Sequence, residues 1–138
     1  SDVCSSDLAA IPHLRASGEG RVVLVTSITG PRTGIPGLAH YAASKAGQEG
    51  LARAAALELA PDGITVNCVA PGTIRTEGLA ALYTEPGALE AIAGTIPAGR
   101  LGTPADVGSL VAFLAGPEVG YITGQTIVID GGNSIAEH

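Results

Sequence analysis

Aromatic side chains are nearly missing from this chain, whose 138 residues hold no Trp, one Phe and three Tyr. An interior without rings has to be closed by Ala, Val, Ile and Leu, which suits helices packed on a sheet. Basic residues are also scarce, seven against thirteen acids for a formal charge of −6. Nowhere do Lys or Arg cluster into a track for a phosphate backbone, so nucleic acid is not an expected partner. No apolar run approaches the roughly 18 residues of a membrane helix. The amino terminus has neither the basic region nor the apolar stretch of a signal peptide, so a cytoplasmic protein without membrane association is expected. Cysteine is limited to Cys4 and Cys68, too few and too widely separated for a disulfide framework or a metal knuckle. No metal site is expected, and Cys68, inside an apolar run, reads as a small buried hydrophobe.

Glycine, by contrast, is plentiful: 20 residues without a G-X-Y period, which excludes collagen and marks turns and close backbone approaches instead. The length suits one compact domain. Residues 1–8 show neither helical nor strand periodicity and read as a leader, either foreign to the domain or the frayed start of a helix. Residues 9–138 read as the folded unit. Ala9 to Ser17 is expected to end a helix, stopped by Gly18 and Gly20. Arg21-Val-Val-Leu-Val-Thr-Ser27 is a short β-branched run closed by small polar residues, the pattern of a buried parallel strand. A Gly/Pro-rich loop, Ile28 to Leu38, leads to a helix over Ala39 to Ala60, with Leu51, Ala54, Ala55, Leu57 and Leu59 as its apolar contacts. Pro61-Asp62-Gly63 breaks that helix, and Ile64 to Ala70 makes a second strand that closes at Pro71-Gly72. Arg75 to Gly94 is weakly helical, interrupted by Pro86-Gly87, and reads as a flap. Thr103 and Pro104 start a helix that runs to about Ala115, and Gly124 to Asp130 supplies a third strand. Strands alternating with helices across short loops predict an α/β fold with a parallel sheet.

Such sheets bind ligands at the carboxyl ends of their strands. Ser27 stands at the first of these ends, Tyr41 and Lys45 open the following helix, and Pro71-Gly72 closes the second strand. Tyr41-Ala-Ala-Ser-Lys45 places a phenol and an ammonium one turn apart on one helix face. A Tyr-x-x-x-Lys spacing is common by chance, but here it has company. Ser27 precedes Tyr41 by fourteen residues. Gly63-Ile-Thr-Val-Asn-Cys-Val-Ala-Pro-Gly72, Arg100-Leu-Gly-Thr-Pro-Ala-Asp106 and Tyr121-Ile-Thr-Gly-Gln-Thr-Ile-Val-Ile-Asp-Gly-Gly132 then follow in order. In this combination, from roughly Ala9 to Asn133, the chain resembles the short-chain dehydrogenase/reductases, with 3-oxoacyl-(acyl-carrier-protein) reductases among the similar members.

The resemblance implies a partial Rossmann-type, doubly wound parallel sheet, made of the last three strands with their helices. It implies hydride transfer between NAD or NADP and a small-molecule carbonyl or alcohol. Hydride reduction leaves an alkoxide, so a site for it needs a proton donor where negative charge develops. By resemblance the catalytic residues are Ser27, Tyr41 and Lys45: the Tyr41 phenol exchanges the proton, Lys45 stabilises the phenolate and holds ribose hydroxyls, and Ser27 hydrogen-bonds the substrate oxygen. Tyr41, Lys45, Pro71, Gly72, Ile74 and Thr76 are the implied cofactor contacts, the last four through a Pro-Gly-x-x-x-Thr pattern. Thr73 to about Ile96 corresponds to the substrate loop. A homodimer or homotetramer is implied, with the Ala39–Ala60 helix across a two-fold axis and Thr103–Ala115 with the last strand in a second contact.

The chain also departs from the family. No G-x-x-x-G-x-G phosphate turn follows a leading strand, the family's Asn-Asn-Ala-Gly stretch is missing, and residues 1–8 occupy the place just upstream of the helix ending near Ser17 where the resemblance puts the catalytic Asn. The expectation is the carboxyl-terminal half of a parent of about 250 residues, with the activity belonging to the parent and the isolated segment inactive. Two other classes of function stand beside the enzyme reading. One is a catalytically silent binding or scaffold subunit of the same fold; the other is a serine hydrolase on Ser27 with Lys45 or His40, for which no G-x-S-x-G elbow is present. His13 and His40 lack partners at ligand spacing and read as surface residues. Asn67 reads as a brace for neighbouring loops and Asp130 as a turn former.

Overall fold

A computed structural model describes the backbone of residues 2–136 and the side chains of residues 9–136. Its sheet has three parallel strands, β1 (Arg21–Val25), β2 (Thr65–Pro71) and β3 (Thr126–Ile129), in the order β1-β2-β3. Among the described residues five α-helices accompany them: α1 (Asp2–Ser17), α2 (Ala39–Leu59), α3 (Glu77–Leu82), α4 (Ala88–Thr95) and α5 (Pro104–Leu114). The α/β architecture with a parallel sheet is the one the alternating pattern predicts. Helix α1 begins before Ala9 and runs back through the stretch read as a leader. Among the described residues no helix is long and apolar enough to cross a membrane.

β2 lies in the middle and is buried along its whole length, which is why its sequence, Thr-Val-Asn-Cys-Val-Ala-Pro, has no polar alternation. Leu24 and Cys68 stand side by side in the β1–β2 register. They join Val66 and Ile64 under Ala52, Ala56 and Leu59 of α2, with Ile11 and Leu14 of α1 at the margin. The face of α2 thus differs from the expected one. Leu57 is 80 % exposed, and Leu51 and Ala54 are also outside, while Glu49, Ala52, Ala56 and Leu59 are buried. The helix carries Ala or Leu on every side, so its hydrophobic pattern selects no unique stripe. Small residues line both sides, and the inward one packs Ala52 and Ala56 against the strands with Leu59 beyond them.

Two polar side chains lock the loops around the sheet. Asn67, 1 % exposed, donates from Nδ2 to the Ile122 carbonyl at 2.7 Å and accepts from the Gln125 amide at 3.1 Å. That is the bracing role its mid-strand position suggested. Asp130 accepts from the amides of Gly132 (2.9 Å) and Ser134 (2.7 Å), closing the turn after β3. The start of α5 is a reciprocal cap, in which Thr103 Oγ1 accepts from the Asp106 amide and the Asp106 carboxylate accepts from the Thr103 amide.

Candidate active site

Past the end of β1 the chain stays hydrogen-bonded to β2. The Thr26 amide donates to the Val69 carbonyl at 2.8 Å and the Ile28 amide to the Pro71 carbonyl at 3.1 Å, which holds Ser27 between them. Ser27 is buried, and its Oγ accepts from the Thr29 amide at 3.1 Å, leaving the hydroxyl hydrogen free to donate. The loop then turns at Gly30, with φ at +110°, and presses onto the first turn of α2. A Cβ at Gly30 would stand 2.4 Å from the Ala42 carbonyl oxygen, so only glycine fits.

That contact sets α2 against the carboxyl end of β1. Lys45 donates from Nζ to the Val25 carbonyl at 2.9 Å and sits 5.7 Å from the centre of the Tyr41 ring. Val25 is two residues before Ser27, a Cα separation of at most about 7.6 Å. Lys45 thus ties the first turns of α2, where Tyr41 is 37 % exposed, to the strand that leads into Ser27.

The second strand end contributes the segment from Pro71 to Thr76. Pro71 is the last residue of β2, and the Gly72 amide donates to the Ile129 carbonyl at 3.0 Å. A Cβ on Gly72 would lie 2.6 Å from the Asp130 Cβ, so the chain passes closer to β3 than any side chain permits. Ile74 bridges Gly102 through its neighbours: the Arg75 amide donates to the Gly102 carbonyl, and the Thr73 carbonyl accepts from the Gly102 amide. The amide and carbonyl of Ile74 itself take no part in that bridge. Thr76 caps α3, its Oγ1 accepting from the Leu79 amide at 3.1 Å.

A cavity of about 260 Å³ opens beside this segment, lined among others by Ile74, Arg100, Asp106 and Asp130. The Arg100 guanidinium donates to Asp106 at 2.8 and 3.2 Å and, with the Thr103 amide and hydroxyl, holds its carboxyl well below the usual carboxylate range. For Asp130 burial pushes the carboxyl up, but the hydrogen bonds from Ser134 and Gly132 outweigh it and leave it lowered. Among the described residues no three His, Cys, Asp or Glu side chains gather as a metal site.

Of the residues singled out from the sequence as catalytic or cofactor-binding, Ser27, Pro71 and Gly72 stand at the ends of β1 and β2, Tyr41 and Lys45 on the first turns of α2, and Ile74 and Thr76 in the segment that follows β2. Two others escaped it: Arg32, in the loop after Ser27, and Glu49, buried on α2, form an ion pair at 3.4 Å. An acid in the middle of a helix rich in Ala and Leu, with Arg53 four residues on, was the available signal.

Comparison with known proteins bears on the family and the fold. A family profile described as enoyl-(acyl carrier protein) reductase, within the short-chain dehydrogenase/reductases, matches residues 6–134. The 3-oxoacyl-[acyl-carrier-protein] reductase FabG of Rickettsia bellii is 46 % identical over 123 residues, covering 89 % of this chain and 50 % of that protein. Nodulation protein G of Rhizobium sp. is 47 % identical over 113 residues, covering 82 % and 45 %. Among solved structures, a gluconate 5-dehydrogenase from Burkholderia cenocepacia, in complex with NADP and tartrate, superposes with a TM-score of 0.85 at 30 % identity, over 94 % of this chain and 51 % of its own. The chain thus spans about half the length of the curated relatives it matches. With its profile match, its relatives and the parallel sheet in agreement, the chain belongs to the short-chain dehydrogenase/reductase family.

Proposed function

We propose that this chain is the carboxyl-terminal, catalytic half of an NAD(P)-dependent oxidoreductase acting on a small-molecule carbonyl or alcohol, with Tyr41 as the acid/base. The observation that carries the reading is Lys45 reaching past the Tyr41 ring to the Val25 carbonyl, two residues from Ser27. When bound, the cofactor supplies or accepts the hydride.

The residues at the two strand ends suit the nicotinamide half of such a cofactor. Ile74 keeps an amide and a carbonyl outside its bridge for a carboxamide, and Thr76, already accepting from Leu79, has a hydroxyl hydrogen to give. Pro71 and Gly72 place that segment beside β3. Lys45 spends one N–H on Val25 and has two more for ribose hydroxyls. Ser27 donates to the substrate oxygen and fixes its direction. Tyr41 gives its proton to that oxygen as negative charge develops, and the nearby ammonium of Lys45 stabilises the phenolate left behind. The segment with α3 and α4 covers the substrate and excludes water.

The outward stripe of α2, Ala43, Gly47, Gly50, Ala54 and the exposed Leu57, suits close packing against a second copy across a two-fold axis, in a homodimer or homotetramer. A phosphate-binding turn is not among these residues, so the isolated segment is inactive in this reading.

Turnover of NADH and NADPH by the complete protein, with 3-oxoacyl thioesters and sugar or polyol carbonyls, is the test. Tyr41→Phe is expected to lower kcat by about 10²- to 10⁴-fold while the protein still binds the reduced cofactor. A folded protein that binds cofactor and turns over none of these substrates is instead a silent binding subunit, and ester hydrolysis without nicotinamide points to the hydrolase.

A further inference from the structure

One buried charge has no part in the chemistry above. Glu49 is 7 % exposed on the inward side of α2, two turns after Tyr41. Its oxygens face two arginines, Oε1 at 3.4 Å from Arg32 Nη1 and Oε2 at 3.6 Å from Arg53 Nη1. The two arginines differ in what they connect. Arg53 stands on α2 itself, so its pair links the helix only to itself. Arg32 belongs to the loop after Ser27: its amide and that of Thr33 both donate to the Ile28 carbonyl, and the Gly30 amide donates back to the Thr33 carbonyl. The same turn contains Thr29, whose amide holds Ser27 Oγ. A carboxylate withdrawn from water needs its partners to offset the lost hydration, so removing one leaves the other charge poorly compensated.

We propose that Glu49 is a positioning residue, tying the turn from Ser27 to Thr33 through Arg32 to the helix that carries Tyr41 and Lys45. The Ser27 hydroxyl and the Tyr41 phenol approach one oxygen from two different elements, and this ion pair sets their spacing. The inference rests on the oxidoreductase reading, in which a misplacement of about 1 Å costs on the order of 10²-fold in rate.

The test compares Glu49→Gln, Arg32→Gln and Arg53→Gln in the complete protein with Asp62→Asn, which breaks the 2.7 Å Arg15–Asp62 pair on the surface. Arg32→Gln and Glu49→Gln should each lower kcat about 10- to 100-fold, with the KM for the cofactor changed less than about twofold. Their combination should be no worse than either alone, because they remove one interaction. Arg53→Gln and Asp62→Asn should keep kcat near that of the unsubstituted protein. Amide hydrogen exchange at Gly30, Arg32 and Thr33 should quicken about tenfold in Arg32→Gln. The Arg32 side chain is one-third exposed, so this variant folds even where Glu49→Gln does not. Equal losses in Arg53→Gln and Arg32→Gln would show a general need for charge balance and overturn the proposal, as would unchanged exchange in Arg32→Gln. The exchange readout needs no catalysis. Absent nicotinamide turnover by the unsubstituted protein removes the enzyme reading, while loop exchange still decides whether Glu49 tethers the turn.

Discussion

Lys45 and Val25 are joined by a 2.9 Å hydrogen bond from the ammonium to the carbonyl at the end of β1, which pins the first turns of α2 to the strand that leads into Ser27. The bond gives Lys45 a structural duty beside the electrostatic one proposed for it. Lys45→Met keeps the length of the side chain and removes both. The expected result in the complete protein is a fall in kcat of about 10²-fold or more, with a stability loss near 1 kcal/mol for the lost hydrogen bond. Steady-state kinetics beside a urea midpoint separate the two effects; a kcat that survives would remove Lys45 from the proposed chemistry.

Gly30 should tolerate no side chain. Its φ of +110° and the 2.4 Å approach of a Cβ to the Ala42 carbonyl oxygen leave an added methyl group nowhere to go except by prising the loop off α2. Gly30→Ala is expected to cost about 1–3 kcal/mol and to lower turnover with it, since the loop carries Ser27. Denaturant unfolding reads the first effect, and a midpoint equal to that of the unsubstituted protein would contradict this packing.

Asn67 binds two backbone groups from inside the sheet. Asn67→Ala leaves the Ile122 carbonyl and the Gln125 amide without partners, an expected loss of about 2–5 kcal/mol. Urea unfolding should show it with little change in the far-ultraviolet circular dichroism. A loss below about 0.5 kcal/mol would mean that water replaces the side chain.

Burial pushes the Cys68 thiol up from 9.0 to about 11. Because the folded value is raised, the protonated thiol stabilises the fold fully below pH 9, and that contribution falls away between pH 9 and 11 as the unfolded chain alone ionises. The shift corresponds to about 2–3 kcal/mol at most. In a Cys4→Ser background, the stability gap between the parent and Cys68→Ala should narrow by that order from pH 8 to pH 11. A gap independent of pH would place Cys68 in contact with water, contrary to its full burial.

The strands were legible because buried parallel strands are short β-branched runs between glycines and helices: Arg21–Val25 and Thr126–Ile129 fall within the predicted segments, and Thr65–Pro71 runs one residue past the predicted end at Ala70. The start of α5 was legible for a local reason too, since Thr103, Pro104 and Asp106 encode their own cap. Less of α2 could be read. Leu51, Ala54 and Leu57 were expected inside and lie outside, because an alanine-rich helix offers several nearly equivalent faces.

The sequence by itself determined the order of strands and helices, the turn residues between them, and which side chains stand at the strand ends, because each follows from chain-local preferences and fixed periods of two or 3.6 residues. Only the tertiary structure decided that Lys45 spends a hydrogen bond on Val25, that Glu49 rather than Leu57 points inward, and that Arg32 reaches it. Those contacts join residues 17 to 20 positions apart across a turn and a helix. Their formation depends on how α2 settles on β1 and β2, where Ala52 and Ala56 enter the core and Gly30 meets the first turn of the helix, contacts that no local pattern specifies.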